Sequence, residues 1–405
     1  MKRNKFRILS TELEIASWKH VHEYNKLKDN VRAKARLVEQ LILYDRVYIA
    51  TRNFLVIPLL VDWFGLDTLL KLLYRDVLGF VRTKGFLAYD GKYKSIEWLE
   101  VQFPVLAGKL LDDGNWLRVA DSRDTKSAVS AVLKGAFRNL KDSDGALIYE
   151  KVVSNTKEIS NINLGTKIAA ETERDLENEE LRRALKINVD KVSEAGLDLG
   201  ENQLKIGIEE NEFDPIRATE TEKILAVAFS NYDLILGRLL GDVDIHTDIL
   251  ARNVLKAKMS SVSRSDLKAA ALDKLVQLRN IPDFVALVEK DSTLCAKLID
   301  LANVQETLKF RVWLHSLDLD AEDAALKDYL AKLEKHYDGP PIGVKAARFL
   351  VTAGLGLVPG LSIPVSPVDS FVLDELLKQW HPKLFLDKLR SVSKEYVQVE
   401  TPAPK

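Results

Sequence analysis

The run from Phe349 to Val368 contains no ionisable side chain, and its length of about 20 residues would span about 30 Å as a single helix. Pro359, Pro364 and Pro367 interrupt this run, and an interior proline costs a helix about 3 kcal/mol. One continuous membrane-spanning helix is therefore disfavoured. The run predicts two helices joined by a Gly/Pro-rich corner, buried in protein because unpaired amides in lipid each cost several kcal/mol.

The alternative for this segment is a hairpin that can be released to contact a protein partner or a bilayer through residues 342–368. Lys345 and Arg348 would then lie at the lipid headgroups, and Leu355 and Leu357 would supply apolar contact. These four residues are the candidate contact residues for a membrane or a partner.

The overall charge is almost balanced, with 59 Lys and Arg against 60 Asp and Glu, so nucleic-acid binding is not indicated. Cys295 is the single cysteine, which excludes an internal disulfide framework and fits a reducing compartment. The amino terminus is basic but lacks the apolar core of a secretory signal. We therefore expect a cytoplasmic protein, with peripheral contact at the inner membrane as the alternative that the carboxyl-terminal run allows.

The pattern along the chain predicts an α+β fold that is predominantly helical. Four segments follow from changes in composition: a mixed α/β domain at 1–150, an acidic polar connector at 151–215, a helical bundle at 216–338 and a carboxyl-terminal hairpin at 339–405. Within the connector, Ile168, Leu176, Leu181 and Leu185 would give a helix one thin apolar stripe.

Local patterns predict several individual elements. Phe6 to Ile15 and Asp45 to Thr51 are typical of strands, and Asn30 to Leu43 is typical of a helix. Phe54 to Tyr74 predicts a buried helix, and residues 79–89 predict a β-hairpin that turns at 82–85. Thr219 and Glu222 have the spacing of a capping box and predict the start of a long helix.

Familiar catalytic and nucleotide-binding motifs are absent from the sequence. Gly108-Lys109 lacks the upstream glycine of a P-loop, and Gly354, Gly356 and Gly360 miss the spacing of a dinucleotide fingerprint. No serine-hydrolase elbow and no H-E-x-x-H motif occurs, so we predict no cofactor.

Two sets of residues are candidates for chemistry. Asp242, Asp244, His246 and Asp248 alternate, so on an extended segment they would share one face and could hold a metal ion. Asp244 and Asp248 fit equally well as capping and first-turn residues of the following helix. Asp45 and Asp62 are the catalytic candidates, and they would support an enzyme if they converged in a cleft.

The segment Leu41 to Thr51, continued by Trp63-Phe-Gly65, Leu69-Leu70 and residues 80–89, resembles a stretch of poorly characterised bacterial proteins. Lys309 to Leu314 shares this resemblance. Such proteins are often encoded in mobile or antiphage-defence regions, so the resemblance implies a role in sensing or stopping infection, without catalytic residues to carry over.

Taken together, these observations favour a non-enzymatic interaction or effector protein. It would be a component of bacterial antiphage defence that acts through a protein partner, encoded nearby, or through the membrane. The alternative is a metal-dependent hydrolase or nuclease with a scattered carboxylate site.

Overall fold

The computed structural model describes residues 6–14, 26–99, 105–109, 116–119, 124–137, 142–159, 163–206, 214–241, 243–247, 249–262, 287–289, 291, 294–302, 304–314, 388 and 391. The fold is α+β and mainly helical, which confirms the predicted fold class.

The strands of these residues are β1 (Arg7–Ser10), β2 (Arg46–Thr51), β3 (Leu78–Arg82), β4 (Phe86–Asp90), β5 (Ser95–Leu99), β6 (Val105–Lys109), β7 (Trp116–Val119), β8 (Thr156–Glu158), β9 (Leu204–Ile206) and β10 (Asp244–His246). The helices are α1 (Val31–Leu43), α2 (Val56–Phe64), α3 (Leu66–Tyr74), α4 (Thr125–Ala136), α5 (Asp142–Ser154), α6 (Leu164–Glu177), α7 (Glu179–Leu185), α8 (Val192–Ala195), α9 (Glu220–Leu239), α10 (Ile249–Val262), α11 (Leu294–Leu301) and α12 (Gln305–Leu314).

A five-stranded parallel sheet forms the centre of the fold, in the order β10-β1-β2-β3-β8. Ile8 of β1 lies opposite Asp244 on one side and Val47 on the other. Two antiparallel sheets accompany it, one in the order β5-β4-β9 and one formed by β6 and β7. The central strands are short apolar runs, as expected for a parallel sheet that is covered on both faces.

Helices cover both faces of the central sheet, because alternate side chains of each strand point to opposite sides. Ile8 and Phe80 pack into one core together with α1 to α5, α11 and α12. Leu9 and Val81 pack into the other core together with α6 to α10. The sheet is therefore the middle layer of three.

The winding of the chain reverses between β1 and β10. The chain passes from β1 through β2 and β3 to β8 in one direction across the sheet, then returns through α9 to place β10 on the opposite side of β1. This point is a topological switch point, and in open sheets of this kind the carboxyl ends of the strands beside it border a crevice.

Several local predictions are confirmed. The Asn30 side chain caps α1 by accepting a hydrogen bond from the amide of Ala33, at 3.0 Å. The capping box at α9 is present, with the Glu222 amide donating to Thr219 Oγ1 at 3.2 Å and the Thr219 amide donating to Glu222 Oε2 at 3.0 Å. Ile168, Leu176, Leu181 and Leu185, the predicted apolar stripe, are buried, but they lie on two helices, α6 and α7, instead of one.

The predicted hairpin at residues 79–89 is wrong. β3 pairs with β2 and β8, whereas β4 pairs with β5 and β9. Both sides of β3 are occupied by parallel neighbours, so the turn carries the chain into another sheet. Gly85 has a φ of 112° there, and a Cβ would lie 2.5 Å from the carbonyl oxygen of Leu99.

Two other predicted segments differ from the structure. The single helix expected over Phe54 to Tyr74 is split into α2 and α3 at Gly65, whose φ is 78°. Residues 151–215 are more than a connector, because they contribute β8 to the central sheet, and β10 interrupts the predicted bundle of 216–338. The segments 1–150, 151–215 and 216–338 therefore share one sheet. Residues 339–405 lie outside the described residues apart from 388 and 391, so the hairpin stays a prediction.

Gly196 offers a test of the packing between the short helix α8 and β4. A Cβ at this position would lie 2.5 Å from Oη of Tyr89, whose buried ring is held by a 3.1 Å hydrogen bond to the carbonyl of Val192. We expect Gly196→Ala to lower the free energy of unfolding by about 1–3 kcal/mol through overpacking. Gly200→Ala is the matched control, since its nearest contact is 3.4 Å away. Urea unfolding of both variants measures this, and equal stabilities would contradict the prediction.

Candidate functional site at the carboxyl edge of the sheet

Polar and charged side chains collect where the strands of the central sheet end. Because these strands are parallel, their carboxyl ends meet at the same edge. Every strand of this sheet delivers at least one such side chain at or just after its end: Thr11, Glu12 and Glu14 after β1, Arg52 after β2, Arg82, Thr83 and Lys84 at β3, Glu158 at β8, and His246 and Thr247 at β10.

At the switch point, the carboxylate of Glu12, which follows β1, contacts both β10 and α1. Glu12 accepts a hydrogen bond at 2.9 Å from Nε2 of His246, which ends β10, and it forms an ion pair with Arg36 of α1. The two strands are also held by the amide of Thr11, which donates to the carbonyl of His246 at 2.9 Å. Arg252 of α10 lies close enough to act on the charge of Glu12.

The pKa of Glu12 is lowered although its side chain is only 11% exposed. Burial alone would raise its pKa, but the hydrogen bond from His246 and the positive charges around it outweigh burial. The pKa of Glu12 is therefore held below its ordinary value of 4.5.

We expect Glu12 to make the fold sensitive to acid. Since its folded pKa is lower than its unfolded pKa, its stabilisation is complete above the unfolded value and is lost as the pH falls through the lowered folded value. Urea unfolding between about pH 7 and pH 3 should show a shallower loss of stability in Glu12→Gln than in the unmodified protein. Identical pH profiles would show that Glu12 is not the group concerned.

A second carboxylate, the buried Asp233, contacts the residues that follow β1 and β10. Asp233 of α9 accepts hydrogen bonds from Thr11 Oγ1, at 3.0 Å, and from the hydroxyl of Thr247. The two threonines follow β1 and β10, so Asp233 fixes the ends of both strands relative to the helix that packs across them.

At the middle of the edge, an arginine and a tyrosine both contact the carboxylate of Glu14. Arg52 Nε donates to Glu14 Oε1 at 2.9 Å, and these two side chains are only 7% and 10% exposed. The Tyr232 hydroxyl donates to the same carboxylate at 3.2 Å and lies 2.9 Å from Thr83 Oγ1. Trp98 stacks on Tyr232 with the ring centroids 5.6 Å apart.

The far end of the edge is held by Glu158. Its carboxylate is 2.6 Å from Nζ of Lys84 and accepts a 2.6 Å hydrogen bond from Thr125, the first residue of α4. Burial opposes ionisation, but these contacts outweigh it and lower the pKa of Glu158. Arg82, which is fully buried, lies 3.9 Å from the same carboxylate.

Burying the charges of Glu14, Arg52 and Arg82, which are at most 10% exposed, costs more free energy than stability alone would justify. Taking ions out of water costs several kcal/mol for each, and apolar residues of similar size usually stabilise a fold as well or better. Concentrated charges with shifted pKa values are typical of binding and catalytic sites. The carboxyl edge is therefore the candidate functional site.

The catalytic candidates Asp45 and Asp62 lie elsewhere and bind different cations. Asp45, at the amino end of β2, pairs with Arg311 at 3.4 Å. Asp62 of α2 pairs with Lys28 at 3.4 Å. Neither is at the carboxyl edge, so their position gives no support to the hydrolase alternative.

The four metal candidates are only partly covered by the structure. Asp244 begins β10 and His246 ends it at the switch point, whereas Asp242 and Asp248 lie outside the described residues. Among the described residues, no group of three or more His, Cys, Asp or Glu could hold a metal ion. The four-ligand hypothesis stays a prediction.

The four candidate contact residues for a membrane or a partner all belong to the carboxyl-terminal segment. Lys345, Arg348, Leu355 and Leu357 lie outside the described residues. Within the part of the chain that is described, no helix has the length and apolar character needed to cross a bilayer.

Sequence reasoning missed Glu12 and Glu14, the carboxylates that organise the edge. Their signal was their position directly after the apolar β1, a place where a parallel sheet puts its ligand-binding residues. This position was not recognised because the sequence predicts a strand from Phe6 to Ile15, which places both glutamates inside the strand instead of after it.

No protein-family model, curated protein or solved structure matches the chain.

Proposed function

We propose that the protein binds a small phosphate-bearing molecule at the switch point, between the carboxyl ends of β1 and β10. The observation that carries this proposal is the convergence of Arg36, Arg252 and His246 around Glu12 at that point. Small ligands of open α/β sheets bind in this position because two neighbouring connections diverge there and leave a crevice.

The exposure of the charged side chains at the switch point favours the binding of an anion. Arg36 is 27% exposed, whereas its partner Glu12 is only 11% exposed. Asp233, the other nearby carboxylate, is 4% exposed and accepts hydrogen bonds from two threonines. The Arg36 guanidinium is therefore more open to solvent than these two carboxylates, and arginine binds phosphate through paired N–H donors.

The amino end of α10 adds to the positive electrostatic potential at the switch point. α10 begins three residues after β10 ends, so its amino terminus faces the carboxyl edge of the sheet. The amino end of a helix carries a partial positive charge, which favours a phosphate group.

Isothermal titration calorimetry with inorganic phosphate, AMP and ADP tests the proposal. We expect Arg36→Gln and Arg252→Gln each to weaken binding of the nucleotides at least about tenfold, which is about 1.4 kcal/mol. Arg32→Gln is the matched control on the same helix, because Arg32 is 71% exposed and pairs with Glu289 away from the switch point. Absence of binding by all three probes, or equal binding by Arg36→Gln and Arg32→Gln, would refute the proposal.

The effector role remains a second proposal, supported by the resemblance to proteins of antiphage-defence regions. Residues 339–405 would carry out the effector role, and ligand binding at the switch point would trigger it. Liposome flotation of the unmodified protein and of a Leu355→Asp, Leu357→Asp double variant tests its membrane form. Lack of lipid binding by both proteins, with and without ADP, would leave a protein partner as the route of action.

A further inference from the structure

Glu12 already occupies N–H donors that the proposed ligand would need. Its two carboxylate oxygens are divided between two elements: Oε1 forms the ion pair with Arg36 of α1, and Oε2 lies 2.9 Å from Nε2 of His246 in β10. Within the described residues, Glu12 is the one acceptor that the Arg36 side chain has. An anion that enters the switch point therefore meets a site in which a carboxylate of the chain itself is bound.

The backbone around Glu12 is held without the help of its carboxylate. The amide of Thr11 donates to the carbonyl of His246 at 2.9 Å, and the amide of Glu14 donates to the carbonyl of Thr11 at 3.0 Å. Leu13, inside this turn, is buried in the core on one face of the sheet. The Glu12 side chain can therefore rotate away from its partners without opening the turn.

Arg252 has a contact of its own at the switch point. Its Nη2 donates to the carbonyl of Thr247 at 3.0 Å, so its position does not depend on Glu12 alone. Its positive charge acts on the Glu12 carboxylate and helps to lower the pKa of that group. Rotation of Glu12 would therefore leave two arginines without their shared counter-charge, at the place where the phosphate is proposed to bind.

We propose that Glu12 determines the specificity of the switch point, because it competes with the ligand as an anion built into the chain, and that the site therefore selects phosphate monoesters over phosphodiesters. This inference rests on the proposed function, since it concerns the same site. A carboxylate carries one negative charge, whereas a phosphate monoester carries about −1.5 to −2 at pH 7. Exchange of Glu12 for a monoester adds attraction to the arginines, whereas exchange for a singly charged diester adds none.

Removal of the charge on Glu12 should remove this barrier to binding. In Glu12→Gln, no ligand has to replace a carboxylate, so monoesters and diesters gain affinity by a similar factor. The preference for the monoester then changes little, because both ligands lose the same competitor. The diester, however, should pass from negligible to measurable binding.

Calorimetric titration of the full chain with AMP and with its 5′-phosphate methyl ester tests the inference. The two ligands share the nucleoside, and the methyl group removes the second negative charge. The unmodified protein should bind AMP at least about tenfold more tightly than the methyl ester. Glu12→Gln should bind each ligand at least about tenfold more tightly than the unmodified protein does. Glu289→Gln is the matched control, because it removes a carboxylate that pairs with Arg32 of α1 away from the switch point. It should leave both affinities unchanged.

Two results would overturn the inference and leave phosphate binding at the switch point intact. The first is equal affinity of the unmodified protein for AMP and its methyl ester, which decides the matter even if Glu12→Gln fails to fold. The second is unchanged or weaker binding of AMP by Glu12→Gln, which would mean that Glu12 positions Arg36 instead of competing with the ligand. Lack of AMP binding by both the unmodified protein and Glu12→Gln would refute the inference together with the proposed function.

Discussion

Replacing Arg311 by methionine is expected to lower the free energy of unfolding by about 3–5 kcal/mol, because it removes one partner of a buried charged network. Arg311 of α12 donates to the carbonyls of Leu41 and Ile42, at 2.8 and 2.5 Å, and to that of Ala302 at 2.9 Å. The first two carbonyls lie at the end of α1, where a helix leaves its last carbonyls without partners. Methionine fills a similar volume but satisfies none of them.

The charge of Arg311 is retained despite its position. Burial lowers its pKa to about 10, and Asp45 opposes this shift, so the guanidinium is ionised at neutral pH. Lys309→Met, on the same helix, is the control and should change stability by less than about 0.5 kcal/mol. Urea unfolding followed by circular dichroism gives both values. A loss below about 1 kcal/mol in Arg311→Met would show that water replaces the guanidinium without penalty.

The second large effect is expected for Arg82→Met, which should cost about 1.5–3 kcal/mol through the loss of a buried hydrogen bond from a charged group. Arg82 is fully buried, and its Nε donates to the carbonyl of Arg52 at 3.0 Å. Its guanidinium lies 5.7 Å from the ring centroid of Phe54 and 3.9 Å from Glu158. The substitution leaves the Arg52 carbonyl without this donor and removes a positive charge from the carboxyl edge.

Lys84→Met is the matched control for Arg82, because Lys84 also pairs with Glu158 but is 31% exposed. Partly exposed ion pairs contribute about 0–1 kcal/mol, so this variant should stay within that range. Thermal and urea unfolding of the two variants give the comparison. Equal losses would mean that the burial of Arg82 does not determine its contribution.

The elements that could be predicted from sequence are those whose structure is determined by residues close together in the chain. The Thr219 and Glu222 capping box depends on residues three positions apart, and the strand at Asp45 to Thr51 depends on its own apolar run. The hairpin at 79–89 was predicted wrongly because its two strands have the right local pattern, whereas β3 pairs with β8 and β4 pairs with β9, which lie far away in sequence. β10 was missed because three residues between helices carry almost no periodic signal.

The candidate site could not be assembled from sequence for the same reason. Glu12 and His246 are separated by 234 positions, and no spacing rule connects them. The segments Leu41 to Thr51 and Lys309 to Leu314 show this effect as well. Arg311, from the second segment, binds the carbonyls of Leu41 and Ile42 at the end of α1, so the first and second segments meet in the fold.

The position of β10 beside β1 has a consequence for the order in which the protein becomes functional during synthesis. β1 finds its first neighbour, β2, within the first 51 residues, but its other side stays unpaired until residues 244–246 have emerged from the ribosome. Contacts between such distant parts of a chain form late, because a long loop must be closed first. A nascent chain thus carries Glu12 and Arg36 well before His246 and Arg252 can join them, so a chain that stops before β10 would lack half of the proposed phosphate-binding cluster.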